Sequence, residues 1–93
     1  MRAKQAGESY DAVICIGCLI KGETDHYDYI SACASDGISN VGLDTGVYCV
    51  YGVLNCLTEE QAFARAGIGQ GSHNHGIDWA LAAINMAALK FNP

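Results

Sequence analysis

The stretch Asp11-Ala12-Val13-Ile14-Cys15-Ile16-Gly17-Cys18-Leu19-Ile20-Lys21-Gly22-Glu23-Thr24-Asp25-His26-Tyr27-Asp28 decides the fold class. Residues 12–16 are a short apolar run rich in β-branched side chains, bounded by Asp11 and Gly17. Such a run predicts a strand buried on both faces, as in a parallel sheet, because neither face is left polar. Just beyond it, residues 21–28 gather a glycine, a hydroxyl, a histidine and three carboxylates. From Asp25 to about Asp44, Ile30, Cys33, Ala34, Gly37, Ile38 and Val41 recur at three- and four-residue spacing. That period predicts one long amphipathic helix, with Asp25 as the N-cap and Gly46 where a helix stop is expected.

Outward from this core the alternation continues. Residues 47–54, VYCVYGVL, predict a second buried strand. Strand, long helix and strand together predict a right-handed parallel crossover. Thr58 with Gln61 has the spacing of a capping box opening a short helix to about Ala66. After the glycine-rich AGIGQGSHNHG, Ile77, Ala80, Leu81, Ile84 and Ala88 mark a last amphipathic helix. The expected order is βαβαα. Residues 1–7 hold good helix formers followed by a glycine, and read as the tail of a helix whose beginning is absent. Two strands make a poor sheet, so the chain is expected either to assemble with other copies or partners or to lack strands upstream.

Ninety-three residues with 51% apolar composition fit one compact unit, and the single proline is the last residue. The formal charge is −5, and Arg2, Lys4, Lys21, Arg65 and Lys90 are scattered. Nucleic acid and anionic membrane surfaces, which require clustered cations, are excluded as partners. No apolar run reaches the roughly 20 residues of a membrane helix, and no signal peptide opens the chain. The five cysteines form an odd set, mostly in apolar surroundings, which predicts reduced core thiols in a cytoplasmic protein. Cys15-Ile16-Gly17-Cys18 also spells C-x-x-C, the alternative being a thiol-redox or zinc protein.

Ligands of an open parallel sheet bind beyond the carboxyl ends of its strands. The loops with the most reactive side chains fall there: residues 21–28 after the first strand, and residues 55–58 after the second, with Tyr51 near that strand's end. Backbone amides of Gly22, Glu23 and Thr24 precede a helix N-terminus, a geometry suited to a phosphate or carboxylate. The acids Glu23 and Asp25 favour the plainer reading, a capped helix with solvated carboxylates. An imidazole in the first turn, His26, is placed to move protons beside a bound anion, or is an ordinary surface residue. Arg65 is suited either to clamp a phosphate or to interact with a helix C-terminus. His73 and His75 suggest metal, but lack a third ligand at clear spacing, which favours solvated histidines or a helix entry.

The segments YDAVICIGCLIKGETDHYDYI, TGVYCVYGVL, TEEQAFARAG and DWALAAINMA, in this order, resemble the C-terminal two-thirds of the lumazine synthase family. The HNHGIDW junction is most similar to fungal members, and the resemblance runs over residues 9–89. It implies a three-layer αβα domain with a parallel sheet in flavodoxin-like order, of which residues 1–93 are the C-terminal portion and the first strands are absent. It implies condensation of 5-amino-6-(D-ribitylamino)uracil with 3,4-dihydroxy-2-butanone 4-phosphate in riboflavin biosynthesis, with no metal or organic cofactor. It further implies a homo-oligomer, a pentamer in the family, with active sites at subunit interfaces. By the same resemblance Gly22, Glu23 and Thr24 hold the phosphate, His26 transfers protons, and Arg65 binds the phosphate from the neighbouring subunit. Tyr51 packs against the pyrimidine across the interface, and Cys18, Leu19 and Ile20 read that ring through their backbone. The aromatic and the Pro-Gly segment that line the rest of the family's pyrimidine pocket are not in this sequence. The alternative is therefore a non-catalytic assembly module or a truncated fragment.

Overall fold

The computed structural model describes residues 10–90, so the helix expected over residues 1–7 lies outside the described residues. The elements are β1 (Ala12–Ile20), α1 (His26–Thr45), β2 (Tyr48–Cys56), α2 (Glu59–Arg65) and α3 (His75–Lys90). The order is the expected βαβαα. The two strands pair in parallel, Ala12 opposite Tyr48 through Ile20 opposite Cys56.

Both strands are nine residues long, and β1 runs four residues past the expected end at Ile16. Gly17 does not break it, because it sits in register opposite Val53, whose methyls would lie 3.6 and 3.7 Å from an added Cβ. The ladder continues one step further, with the Lys21 N–H donating to the Cys56 carbonyl at 2.9 Å.

Helices cover opposite faces of β2. A Cβ at Gly42 on α1 would lie 3.8 Å from the Cys49 Cβ, whereas one at Gly52 would lie 3.0 Å from the Trp79 ring on α3. Cys49 and Gly52 are an odd number of residues apart, so they point to different sides of the sheet. The result is a three-layer αβα arrangement on a two-stranded sheet of order β1-β2. Val47, Val50, Cys56, Ala62 and Ala83 form the buried apolar core.

Three expectations change on inspection. β1 is not buried on both faces: Ile14, Ile16 and Ile20 are exposed, Ile16 to 78%. In the register these residues pair with Val50, Gly52 and Cys56 and so lie on the α3 side. Trp79 of α3 is seated against Gly52, on β2, which leaves the β1 half of that face open. The apolar stripe of α1 is likewise only partly covered, and none of its residues is buried. Finally, the thiols are not uniformly core residues. All five are free, Cys56 is buried, Cys15 and Cys49 are half-buried, and Cys18 and Cys33 are exposed.

Helix ends follow local chemistry, with one correction. Asp25 holds the N-cap position of α1, but its side chain makes no capping hydrogen bond. Its backbone is already helical (φ −74°, ψ 0°), not in the extended conformation that turns a capping oxygen back onto the first amides. The His26 N–H instead donates to Thr24 Oγ1 at 3.4 Å. Gly46 ends the helix in the left-handed region (φ 70°), its N–H donating to the Gly42 carbonyl, as a C-terminal glycine permits. At α2 the extended Thr58 accepts from the Gln61 N–H at 3.2 Å, and Gln61 Oε1 accepts from the Leu57 N–H at 2.8 Å.

Candidate active site

The carboxyl ends of both strands open onto the same end of the molecule, because the strands are parallel and in register. There the chain leaves β1 through residues 21–25 and turns into α1, whose first residue is His26. The turn is fixed by backbone bonds from the Asp28 and Tyr29 N–H groups to the Asp25 carbonyl, at 3.0 and 3.3 Å. Lys21 Nζ lies 4.0 Å from Asp28 Oδ2 with both groups exposed, a contact worth little in water.

A cavity of about 230 Å³ lies against this turn, lined by Leu19, Ile20, Gly22, Thr24, His26, Tyr27 and Ile30. Five of the residues implied by the resemblance are therefore brought together: Leu19, Ile20, Gly22, Thr24 and His26. Glu23 belongs to the same turn, and its side chain is exposed. Gly22 faces open space, with nothing within 4 Å of a Cβ built there, so packing within the chain does not require a glycine at this position.

Arg65 and Cys18 lie elsewhere. They line a second cleft of about 390 Å³ with Ile16, Gly17, Leu54, Ala66, Asn74, Gly76 and Trp79. Arg65 is the last residue of α2 and is exposed. The loop after it folds back on the helix, the Gly67 and His73 N–H groups donating to the Ala64 carbonyl at 3.3 and 3.2 Å. Tyr51 lies on the α1 side of β2, opposite to Leu54 of this cleft. Within one chain Arg65 thus lines a different cleft from His26, while Tyr51 lines neither and lies on the α1 side of the sheet near Tyr27.

Electrostatics distinguish the buried groups. Burial pushes the Cys56 thiol above its ordinary value, the neighbouring Cys18 thiol adds to this, and the Arg65 guanidinium pulls the other way. Burial also raises the Cys49 thiol, with Cys15 adding to the shift. The Tyr27 phenol is raised as well, first by loss of water and then by Cys56, Asp28 and Tyr51.

Two features were not anticipated from sequence. Asn55 Nδ2 donates to the Tyr51 hydroxyl at 2.8 Å, a pair signalled only by a polar residue on the same strand face four positions on. Tyr27, next to His26, turns inward to line the cavity. The histidines of the glycine-rich loop also find a partner: His73 Nε2 is 2.9 Å and His75 Nδ1 3.7 Å from Asp78 Oδ2. Among the described residues no group of three or more His, Cys, Asp or Glu is arranged to hold a metal ion. No helix among them is long and apolar enough to cross a membrane.

Residues 1–90 match the family model described as 6,7-dimethyl-8-ribityllumazine synthase. The chain is 58% identical over 81 residues to a 6,7-dimethyl-8-ribityllumazine synthase of Pyricularia oryzae, covering 87% of this chain and 40% of that protein. It is 54% identical over 86 residues to the protein of the same name from Schizosaccharomyces pombe, covering 92% and 54%. The Coxiella burnetii protein of that name is 48% identical over 89 residues, covering 94% and 58%. The chain spans about half the length of these relatives.

Proposed function

The chain belongs to the 6,7-dimethyl-8-ribityllumazine synthase family, and on that premise we propose that it carries the phosphate-binding and proton-transfer part of a lumazine synthase active site. The reaction joins 5-amino-6-(D-ribitylamino)uracil to 3,4-dihydroxy-2-butanone 4-phosphate, with loss of phosphate and water. The observation that carries this reading is the cavity at the carboxyl end of β1, where Gly22, Thr24 and His26 share one wall at the start of a 20-residue helix. Backbone N–H groups before a helix and the helix dipole favour a phosphate there. The open space at Gly22 leaves room for a ligand oxygen to approach the backbone closely.

In this mechanism the primary amine attacks the ketone carbonyl, and loss of water gives a Schiff base. Removal of a carbon-bound proton then expels phosphate from the neighbouring carbon. Addition of the ribityl-bearing nitrogen closes the second ring, and a further water is lost. His26 takes and returns the protons, because it lines the same cavity as the turn that holds the phosphate. Leu19 and Ile20 offer the strand-end backbone to the pyrimidine, with Cys18 beside them. No metal or organic cofactor takes part.

The placement of Arg65 in a cleft other than the His26 cavity supports a site completed by a second copy. In that assembly, a homopentamer in the cytoplasm, Arg65 clamps the phosphate held by the neighbour's turn, and Tyr51 packs against the neighbour's pyrimidine. A second reading is favoured by the partial span of the relatives and the open face of β1. In it the chain is an assembly module whose pyrimidine pocket needs further residues.

The test is lumazine formation from both substrates by the purified chain, alone and mixed with the N-terminal segment of the Pyricularia oryzae relative. Product from the chain alone supports a complete site. Product only in the mixture supports a pocket that needs further residues, and no product in either refutes the catalytic reading and leaves a non-catalytic assembly module.

A further inference from the structure

The geometry points to Asn55 as a positioning residue that acts through Tyr51 and directs the Tyr51 hydroxyl proton toward the pyrimidine. This rests on the proposal that Tyr51 contacts that ring. The side-chain amide nitrogen of asparagine only donates hydrogen bonds, whereas a phenol oxygen both accepts and donates. At 2.8 Å from Asn55 Nδ2, the Tyr51 oxygen must therefore be the acceptor. Its own proton is turned away from Asn55, and no acceptor for it is found among the described residues. Asn55 is exposed next to the carboxyl end of β2, where a ligand of a parallel sheet is expected, and its contact carries the hydroxyl of half-buried, mid-strand Tyr51 toward that end.

The arrangement has two effects. It holds the phenol at a fixed height above the strand, so that the ring is oriented before a ligand arrives. It also polarises the hydroxyl, since a phenol that accepts one hydrogen bond donates more strongly in the next. The matching ligand group is an acceptor oxygen, such as a ring carbonyl of a uracil. The pair thereby selects for an oxygen acceptor at a place where an aromatic ring without a hydroxyl recognises shape alone.

Binding of 5-amino-6-(D-ribitylamino)uracil is measured by calorimetry for the chain, and for the chain reconstituted with the N-terminal segment of the relative. The variants are Tyr51→Phe, Asn55→Leu, Asn55→Asp, Tyr51→Ala and the Tyr51→Phe/Asn55→Leu double. Tyr51→Phe and Asn55→Leu each weaken binding by about three- to tenfold, and the double is no weaker than the poorer single, because both remove one hydrogen bond. Asn55→Asp keeps the pair together but accepts the Tyr51 proton, and so weakens binding as Tyr51→Phe does. Unchanged binding in Asn55→Leu or Asn55→Asp, or additive losses in the double, overturns the role of Asn55. If Tyr51→Ala still loses affinity in that case, the assignment of Tyr51 to the pyrimidine survives. Wild-type affinity in Tyr51→Ala, or no binding by either preparation, overturns that assignment and this inference together.

Discussion

Gly52 is the position where one methyl group should do most damage. It is buried in β2, and a Cβ built there lies 2.9 Å from the Cys15 carbonyl oxygen and 3.0 and 3.1 Å from two ring carbons of Trp79. The oxygen belongs to the backbone of the paired strand and cannot retreat without distorting the parallel ladder. The indole is held by α3 on the other side, so Gly52→Ala must either push the helix outward or spread the strands. Inserting a methylene-sized group into a packed site costs about 1–3 kcal/mol. For a domain of this size each kcal/mol lowers the unfolding midpoint by roughly 4–8 °C, so a loss of about 2 kcal/mol lowers it by about 8–16 °C. Trp79 is the only tryptophan in the sequence, which makes its fluorescence a local report on the same contact. Thermal unfolding followed by that fluorescence should show both the lower midpoint and a native emission shifted to the red. Gly22→Ala is the control, since nothing lies within 4 Å of its Cβ, and its midpoint should match wild type. If Gly52→Ala leaves midpoint and emission unchanged, the close packing of α3 on β2 through Trp79 is refuted.

Two further outcomes follow from the geometry. His26→Ala in an active preparation should lower turnover by about 10²–10⁴-fold, the usual contribution of a general acid–base group, with a much smaller change in affinity for the phosphate-bearing substrate; unchanged turnover removes His26 from the mechanism. The Cys56 thiol is 1% exposed and its pKa is raised by burial, so the folded state favours the protonated form. That stabilisation is complete below the ordinary thiol value of 9.0 and is lost as pH rises through the higher folded value, so urea midpoints should fall above pH 9 and fall less in Cys56→Ala. A midpoint equally flat in both proteins across that range would contradict it.

Much of this arrangement was legible in the sequence because it is written in short-range patterns. The β-branched run before Gly17, the glycine at 46 and the Thr58–Gln61 spacing each act within a few residues. What escaped depended on the number of strands and on backbone angles. The both-faces reading of β1 assumed a wide sheet, whereas the described sheet has two strands and leaves Ile16 uncovered. Asp25 has the side chain of an N-cap, but its helical φ and ψ aim that side chain away. The turn of residues 22–24 with His26 was visible as loop chemistry after a strand. The Tyr51–Asn55 pair was not, since a hydrogen bond along one strand leaves no mark in hydrophobic periodicity.

The open side of β1 also bears on how the protein behaves at high concentration. AVICIGCLI has no charge and no proline, and is built largely from residues that favour extended chain. In the described sheet it pairs along one edge only. A nine-residue uncharged strand with a free edge is a template for any other extended segment, including the same strand of another molecule. Pairing β1 to β2 must also close the long connection through α1, so β1 waits, unpaired, during folding. The yield of unaggregated protein is therefore set by how fast that edge finds a partner. A Lys substituted for the exposed Ile16 acts on that race more than on the stability of the folded chain.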